Sequence, residues 1–288
     1  MPALRSMLFV PGNQPRKVEK VFGAGADVAI LDLEDAVPVP DKVATRDVIV
    51  EALRRPRSCR AYVRVNATTT ECCYGDLQAV VGEGLDGLLL PMVERPDDVV
   101  TVDWLLTQLE RERGLPVGGI DLIPAVETAK GHAALRAIAA ADTRVRRLSF
   151  GAADYSADMS FTPTVEEEEL APIRAETVLA SRLGGLEPPI DTVFVAFREA
   201  EAYAACCARS RRLGFQGKMC IHPAQVAPAN EAFTPTAAEV DFATRVVTEF
   251  EKAEAEGNAS FQIDGKFIDY AIVLQARRTL ATMESIGG

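Results

Sequence analysis

Histidine is scarce in this sequence, with only His132 and His222 in 288 residues. A zinc centre built on imidazoles, or a Ser-His-Asp relay, would have to run through one of these two, which demotes both chemistries. Cysteine offers no substitute. Cys59, Cys72, Cys73, Cys206, Cys207 and Cys220 form neither a CxxC pair nor a spaced framework, and read as reduced, mostly buried thiols. No run of about 18 apolar residues is present, so no transmembrane helix is expected. The N-terminal MPALRSMLFVPG meets a Pro-Gly turn too early for a signal-peptide core, and a cytoplasmic protein is expected. Lys and Arg nowhere gather into a basic stripe and the formal net charge is −11, which argues against nucleic acid and anionic membrane as partners. A GxGxxG after the first strand is also missing, and with it the main support for a dinucleotide-binding doubly wound sheet.

What is present is a rhythm. β-type runs recur at 6–10, 27–31, 60–65, 86–90, 120–126, 145–150, 190–197 and 217–222, most of them separated by helical patterning. Val99, Val102, Leu105, Leu106 and Leu109, for example, make one stripe of an amphipathic helix. Eight strands alternating with helices predict an α/β fold, a (β/α)8 TIM barrel of parallel strands. The segment TPTVEEEEL (162–170) reads as a solvated loop or helix start. Beyond the eighth strand, 234–257 reads as a capped amphipathic helix ending at Gly257, and 261–280 as a short hairpin followed by a helix. Asp264-Gly265 stands where a tight two-residue turn wants it. The chain therefore divides into a barrel catalytic domain, 1–233, and a C-terminal helical/hairpin extension, 234–288, that covers an active site or reaches a neighbouring subunit.

Barrel enzymes place their chemistry at the carboxyl ends of the strands. Collected there are Asp32, Glu34 and Asp35 after strand two, Arg64 and Asn66 after strand three, Glu127 after strand five and Asp154 after strand six. Alternation sends Leu31 and Leu33 outward and Asp32 and Glu34 inward, and likewise Arg64 and Asn66 inward against Val63 and Val65. Glu127 takes the face opposite Leu122 and Val126. Glycine breaks the count before Asp154. This carboxylate-rich set with one guanidinium suits a hard cation such as Mg2+, with Mn2+ as a variant. It equally allows rim salt bridges from the acids to Arg5, Arg16 or Lys17.

Eight segments in register resemble one family: RSMLFVPGN (5–13), ADVAILDLEDAV (26–37), VRVN (63–66), LPMVE (90–94), VETAKG (126–131), FGAADYSADM (150–159), LGFQGKMCIHPAQV (213–226) and DGKFID (264–269). They are similar to the citrate lyase β-subunit-like branch of the HpcH/HpaI aldolases, whose relatives include malyl-CoA and citramalyl-CoA lyases. The resemblance implies Mg2+ held by Glu127 and Asp154, with Glu127 and Arg64 contacting substrate and Asp269 acting as acid/base across a subunit interface. It places Asp32 and Glu34 beside the metal, holding its waters. Arg5, Arg16 and Lys17 near the mouth become candidates for CoA phosphates. The implied reaction is Mg2+-dependent carbon–carbon cleavage of a malyl-, citramalyl- or citryl-type 3-hydroxyacyl-CoA to acetyl-CoA and a keto acid, in a homo-oligomer (trimer or hexamer).

Two alternatives stay open: a CoA-independent class II pyruvate aldolase, and a non-catalytic acyl-thioester-binding subunit of a lyase complex. The first wants a histidine early in the barrel, and none precedes His132. Departures from the family pattern fall at Met92, where many relatives carry lysine, at Tyr155 and Ser160, where leucine and glycine are usual, and at Glu199. His132 reads as a helix residue, and His222 as a support for the loop after strand eight.

Overall fold

The computed structural model describes residues 4–255 and 260–287, so Gly257 lies outside the described residues. Residues 4–230 form one compact unit, and the described residues from 231 onward form a second.

The first unit is a closed barrel of eight parallel strands in sequential order, each pair hydrogen-bonded to its neighbour and β8 closing on β1. The barrel begins β1 (Ser6–Pro11), α1 (Pro15–Val21), β2 (Val28–Asp32), α2 (Lys42–Leu53), β3 (Arg60–Arg64), α3 (Cys73–Val80), β4 (Gly87–Leu90) and α4 (Pro96–Glu112). It continues through β5 (Asp121–Val126), α5 (Ala129–Ala139), β6 (Ser149–Phe150), α6 (Ala152–Asp158), α7 (Ala171–Leu183), β7 (Ile190–Asp191), α8 (Ala200–Leu213) and β8 (Gly217–Cys220), with α9 (Val226–Phe233) following. The strands read as near-continuous apolar runs because helices cover one face and the barrel interior the other.

Inside the barrel Met7, Ile30, Tyr62, Leu89, Ile123 and Met219 form one buried cluster. The Tyr62 ring needs room that only glycine leaves, since a Cβ at Gly87 would stand 2.5 Å from it. Its hydroxyl donates to Asp121 at 2.7 Å, so the buried polar tip is satisfied.

β6 and β7 are shorter than their apolar runs predict. Past Asp191 the chain leaves the sheet, and Val195 and Phe197 are exposed on the rim. Asp191 itself is buried, accepting from Lys218 Nζ at 2.6 Å, Arg174 Nε at 3.0 Å and Ser210 at 2.5 Å. The glutamate run departs from the solvated reading at one position. Glu167 is buried and accepts from Arg174 at 2.5 Å and from Cys206 at 3.1 Å. Four successive carboxylates look alike in sequence, but only this one meets a buried guanidinium.

The second unit carries α10 (Ala237–Ala255), a hairpin of β9 (Phe261–Ile263) and β10 (Lys266–Ile268), and α11 (Tyr270–Gly287). Its core gathers Val246, Phe250, Ile263, Ile268 and Val273. Asp264 (φ 50°) and Gly265 (φ 74°) both sit in the left-handed region, as a tight hairpin turn requires. Thr236 and Glu239 cap α10 reciprocally, at 2.7 and 3.2 Å. All six cysteines are free thiols. Among the described residues no helix is long and apolar enough to cross a membrane.

Candidate active site

Register brings the ends of β2 and β3 together, with Asp32 directly beside Arg64. Asp32 accepts from Arg64 Nε and Nη2, both at 2.7 Å, the paired geometry that fixes a guanidinium plane. The same carboxylate accepts the backbone N–H groups of Glu34 and Ala36, which folds the chain back just after the strand. Glu34 Oε2 lies 2.9 Å from Arg64 Nη1 but is not aligned for a hydrogen bond, and Asp35 accepts from Nη1 at 3.2 Å. The Phe9 ring, 4.9 Å from the guanidinium carbon, backs the other side. The three clustered acids thus have a counter-ion, and it is Arg64 rather than Arg5, Arg16 or Lys17. Burial opposes the charge on Arg64, but the Asp32 hydrogen bonds and the neighbouring carboxylates outweigh it and hold its pKa above the usual arginine value. Glu34 is pushed up to about 8, first by burial, with Arg64 pulling down and Asp35, Glu127 and Asp32 pushing up.

Glu127 follows β5 directly. Thr128, whose hydroxyl accepts from Gly131 at 3.1 Å, caps α5, which leaves Glu127 free of that duty. Glu127 Oε2 accepts the Met92 N–H at 2.8 Å. Met92 has φ 53°, an uncommon backbone state for a residue with a side chain, and in it the amide meets the carboxylate. The other oxygen stands where any side chain at Gly151 would reach, since a Cβ there would lie 2.1 Å from Oε1. Burial pushes the Glu127 carboxyl up to about 7, while the Met92 N–H and Arg64 work the other way and Asp154 adds repulsion. Asp154 occupies the first turn of α6, and its pKa is raised by burial and by Asp35, against Arg64.

Asp32, Asp35, Arg64, Glu127 and Asp154 all line one cavity of about 390 Å3 at the carboxyl ends of the strands. Its floor is apolar. Leu89, Ala125 and Met219 belong to the barrel's interior cluster, and Phe9 and Val193 pack on top of it. Two acids with raised pKa values on one concave surface are under-compensated, and hard oxygen donors of this kind suit a divalent cation that keeps waters or substrate in its other positions. Among the described residues no group of three or more His, Cys, Asp or Glu is gathered for a metal.

Two expected placements are corrected. Arg5 lies at the amino end of β1, remote from the mouth. It is tied to Asp27 at the start of β2, donating Nη2 to Oδ1 at 2.7 Å and Nε to Oδ2 at 2.9 Å. Asn66 does not point inward: β3 ends at Arg64, so alternation no longer applies. Its amide donates instead to Asp76 of α3 at 2.6 Å and to Leu33 O at 3.1 Å. Arg16 and Lys17 are exposed in the first turn of α1, after the carboxyl end of β1. Asp269 lies in the second unit at the start of α11, where its carboxylate accepts the Ile272 N–H at 3.1 Å. His132 is in α5 with Nδ1 2.7 Å from the Tyr155 hydroxyl, and His222 accepts the Ala224 N–H at 3.2 Å and stacks on Phe197.

Sequence reasoning collects Asp35 with the strand-end acids but gives it no role, notes Met92 only as a departure from the family pattern, and misses Phe9. Phe9 shares its strand face with inward Met7, a parity that points to it. Nothing in LPMVE announces the left-handed backbone at Met92.

A TIM barrel with an acid pair and a clamped arginine around one cavity at the carboxyl ends of its strands is the class that fold and site define. The chain belongs to the HpcH/HpaI aldolase/citrate lyase family, whose profile matches residues 5–223. It is 33% identical over 278 residues to the citrate lyase subunit beta of Leuconostoc mesenteroides subsp. cremoris, covering 96% of this chain and 92% of that one. It is 34% identical over 284 residues to a (3S)-malyl-CoA thioesterase of Cereibacter sphaeroides, covering 98% and 95%. The structure of CitE from Mycobacterium tuberculosis in complex with magnesium, acetoacetate and coenzyme A superposes with a TM-score of 0.78 at 27% identity, over 98% of both chains.

Proposed function

We propose that this chain is a Mg2+-dependent carbon–carbon lyase that cleaves a 3-hydroxyacyl-CoA thioester to acetyl-CoA and a keto acid. The observation that carries the reading is the meeting of Glu127, Asp154 and Arg64 on one cavity. Glu127 and Asp154 would hold the cation. Bound there, Mg2+ would supply Lewis-acid polarisation of the substrate's oxygens. Breaking the C2–C3 bond turns the 3-hydroxyl carbon into the keto-acid carbonyl, its hydroxyl proton passing to water. The bond's electron pair leaves as the enolate of acetyl-CoA. Arg64, cationic throughout, faces the charge that develops on the thioester oxygen. Asp32 and Phe9 keep its plane in place, so little reorganisation is needed when that charge appears. Asp269, supplied by the C-terminal segment of a neighbouring copy in a homo-oligomer, delivers the proton that the enolate carbon takes up. Arg16 and Lys17, exposed in the first turn of α1, would meet the CoA phosphates.

The test is release of acetyl-CoA and keto acid from malyl-, citramalyl- and citryl-CoA, with and without Mg2+. Glu127→Gln and Asp154→Asn should each lose metal binding and turnover together, and retention of both by either variant would refute its assignment. The (3S)-malyl-CoA thioesterase relative motivates a second reading, hydrolysis of the thioester. It predicts free CoA appearing with free malate in place of acetyl-CoA with glyoxylate.

A further inference from the structure

A helix of seven residues is too short to hold its own direction in water, so α6, which carries Asp154, depends on what pins it. Its amino end is fixed twice. The Gly151 N–H donates to Val126 O at 3.0 Å, one residue before Glu127, and the Ala152 N–H donates to Thr192 at 2.9 Å. These bonds leave the helix able to pivot and to turn about its own axis. Its carboxyl end is fixed by Asp158, whose Oδ2 accepts the Ala129 N–H at 2.7 Å. Ala129 opens α5, two residues past Glu127, and a carboxylate there also meets the positive end of that helix. Thr128 already serves the Gly131 N–H, so Asp158 takes a different orphan donor of the same helix end.

Asp154 and Asp158 are one turn apart and share a face of α6. Side-chain tips stand about 5–6 Å from a helix axis, so a rotation of about 10° carries such a carboxylate by about 1 Å. Tethering Asp158 removes that freedom. The path from Glu127 to Ala129, across the hydrogen bond to Asp158 and back one turn to Asp154, is a closed strap with the two acids at its ends. On the far flank the Met92 N–H holds Glu127, and Thr128 donates to Glu94 at 2.9 Å.

We infer that Asp158 is a positioning residue: it fixes the separation of the Glu127 and Asp154 carboxylates and so makes the pair selective for Mg2+ over the larger Ca2+. The inference rests on the assignment of those two acids to the cation and not on the lyase chemistry. Mg2+ demands near-ideal octahedral geometry whereas Ca2+ accepts irregular sets of oxygens, so selectivity between them follows the rigidity of the ligands. An untethered α6 still presents both acids, which serves Ca2+ but not Mg2+. A residue that only capped α5 would move stability and leave the preference alone.

The experiment is calorimetry of Mg2+ and of Ca2+ on the full chain, with folding checked by melting temperature. Asp158→Ala should weaken Mg2+ binding at least about tenfold and leave Ca2+ binding within about threefold. Asp158→Asn keeps an oxygen acceptor and should hold both affinities within about threefold of the parent. In the metal-free chain, hydrogen exchange at the Ala129 amide should quicken at least about tenfold in Asp158→Ala and stay at the parent rate in Asp158→Asn. An unchanged Mg2+ to Ca2+ preference in Asp158→Ala overturns the inference and leaves Asp158 a helix cap. A parent chain that binds neither cation overturns the metal assignment together with it. Preferences that shift as described, with no cleavage of any thioester, refute the lyase reading and leave the role of Asp158 standing.

Discussion

Replacing Gly151 with alanine tests whether the Glu127 carboxylate must lie where Met92 holds it. Gly151 has φ −103° and ψ 108°, extended backbone that alanine adopts without strain, so the substitution acts through its methyl group alone. That Cβ would stand 2.1 Å from Glu127 Oε1 and 2.8 Å from its Cγ and Cδ. To reach a tolerable contact the carboxylate must retreat by about 1 Å. It cannot do so freely, because its other oxygen accepts the Met92 N–H at 2.8 Å. The cost to the fold is that of a modest overpacking, about 1–3 kcal/mol. The cost to the site is larger in proportion, since a displacement of about 1 Å in a positioned group is worth up to about 100-fold. At a Mg2+ concentration of about 100 times the parent Kd, the ion stabilises the parent by about 2.7 kcal/mol. A variant whose Kd has risen about 100-fold gains only about 0.4 kcal/mol under the same conditions. Denaturant unfolding with and without Mg2+ reads this difference directly, and calorimetry gives the affinity. If Gly151→Ala binds Mg2+ as tightly as the parent, the reasoning about Glu127 fails.

Other outcomes follow from the same contacts. Asp191→Asn should cost about 3–5 kcal/mol in urea unfolding, because it leaves Lys218 and Arg174 buried beside a neutral group, and a loss below about 1 kcal/mol would count against that network. Burial pushes the Asp191 pKa up, but the adjacent Lys218 and Arg174 charges pull it further, to below the ordinary carboxylate range. Its stabilisation is therefore complete above the unfolded value of about 3.9 and is lost as pH falls through the lower folded value, so acid unfolding of the parent should outlast that of neighbouring-charge variants. Tyr155→Phe removes the bond to His132 that ties α6, bearing Asp154, to α5, which begins just past Glu127. It should lower stability by about 1 kcal/mol and weaken Mg2+ binding several-fold, and unchanged affinity would show that the tie does not position the pair. Asp269→Asn should keep Mg2+ and pyruvate affinity while kcat drops by about 100-fold or more, and full turnover would remove Asp269 from the reaction.

Much of the architecture is legible in the sequence. The alternation of apolar strands and amphipathic helices specifies eight βα units, because each strand must be buried on both faces and each helix on one. Asp264-Gly265 specifies its turn because two successive positive-φ residues are tolerated there and in few other dipeptides. Glu127 was found by strand parity, a local property. The trouble came where strands end. β3 stops at Arg64, so Asn66 escapes the alternation and turns to Asp76, and β7 stops at Asp191, so VFVAF becomes rim instead of sheet.

Partnership is what local pattern does not carry. The acids of ILDLEDAV say that a cation must be near, but Arg64 lies 32 residues beyond Asp32 and becomes its neighbour only through parallel pairing of β2 with β3. Arg5 is closer in sequence and carries the same charge, yet it sits at the opposite end of the barrel against Asp27. Glu167 looks like its three glutamate neighbours until Arg174 and Cys206 are folded around it. Periodicity settles which face of an element a residue occupies, since that depends on backbone geometry within a few residues. Which charges meet, and hence which carboxylates stay under-compensated at the mouth, depends on closing the barrel, and only the folded chain decides it.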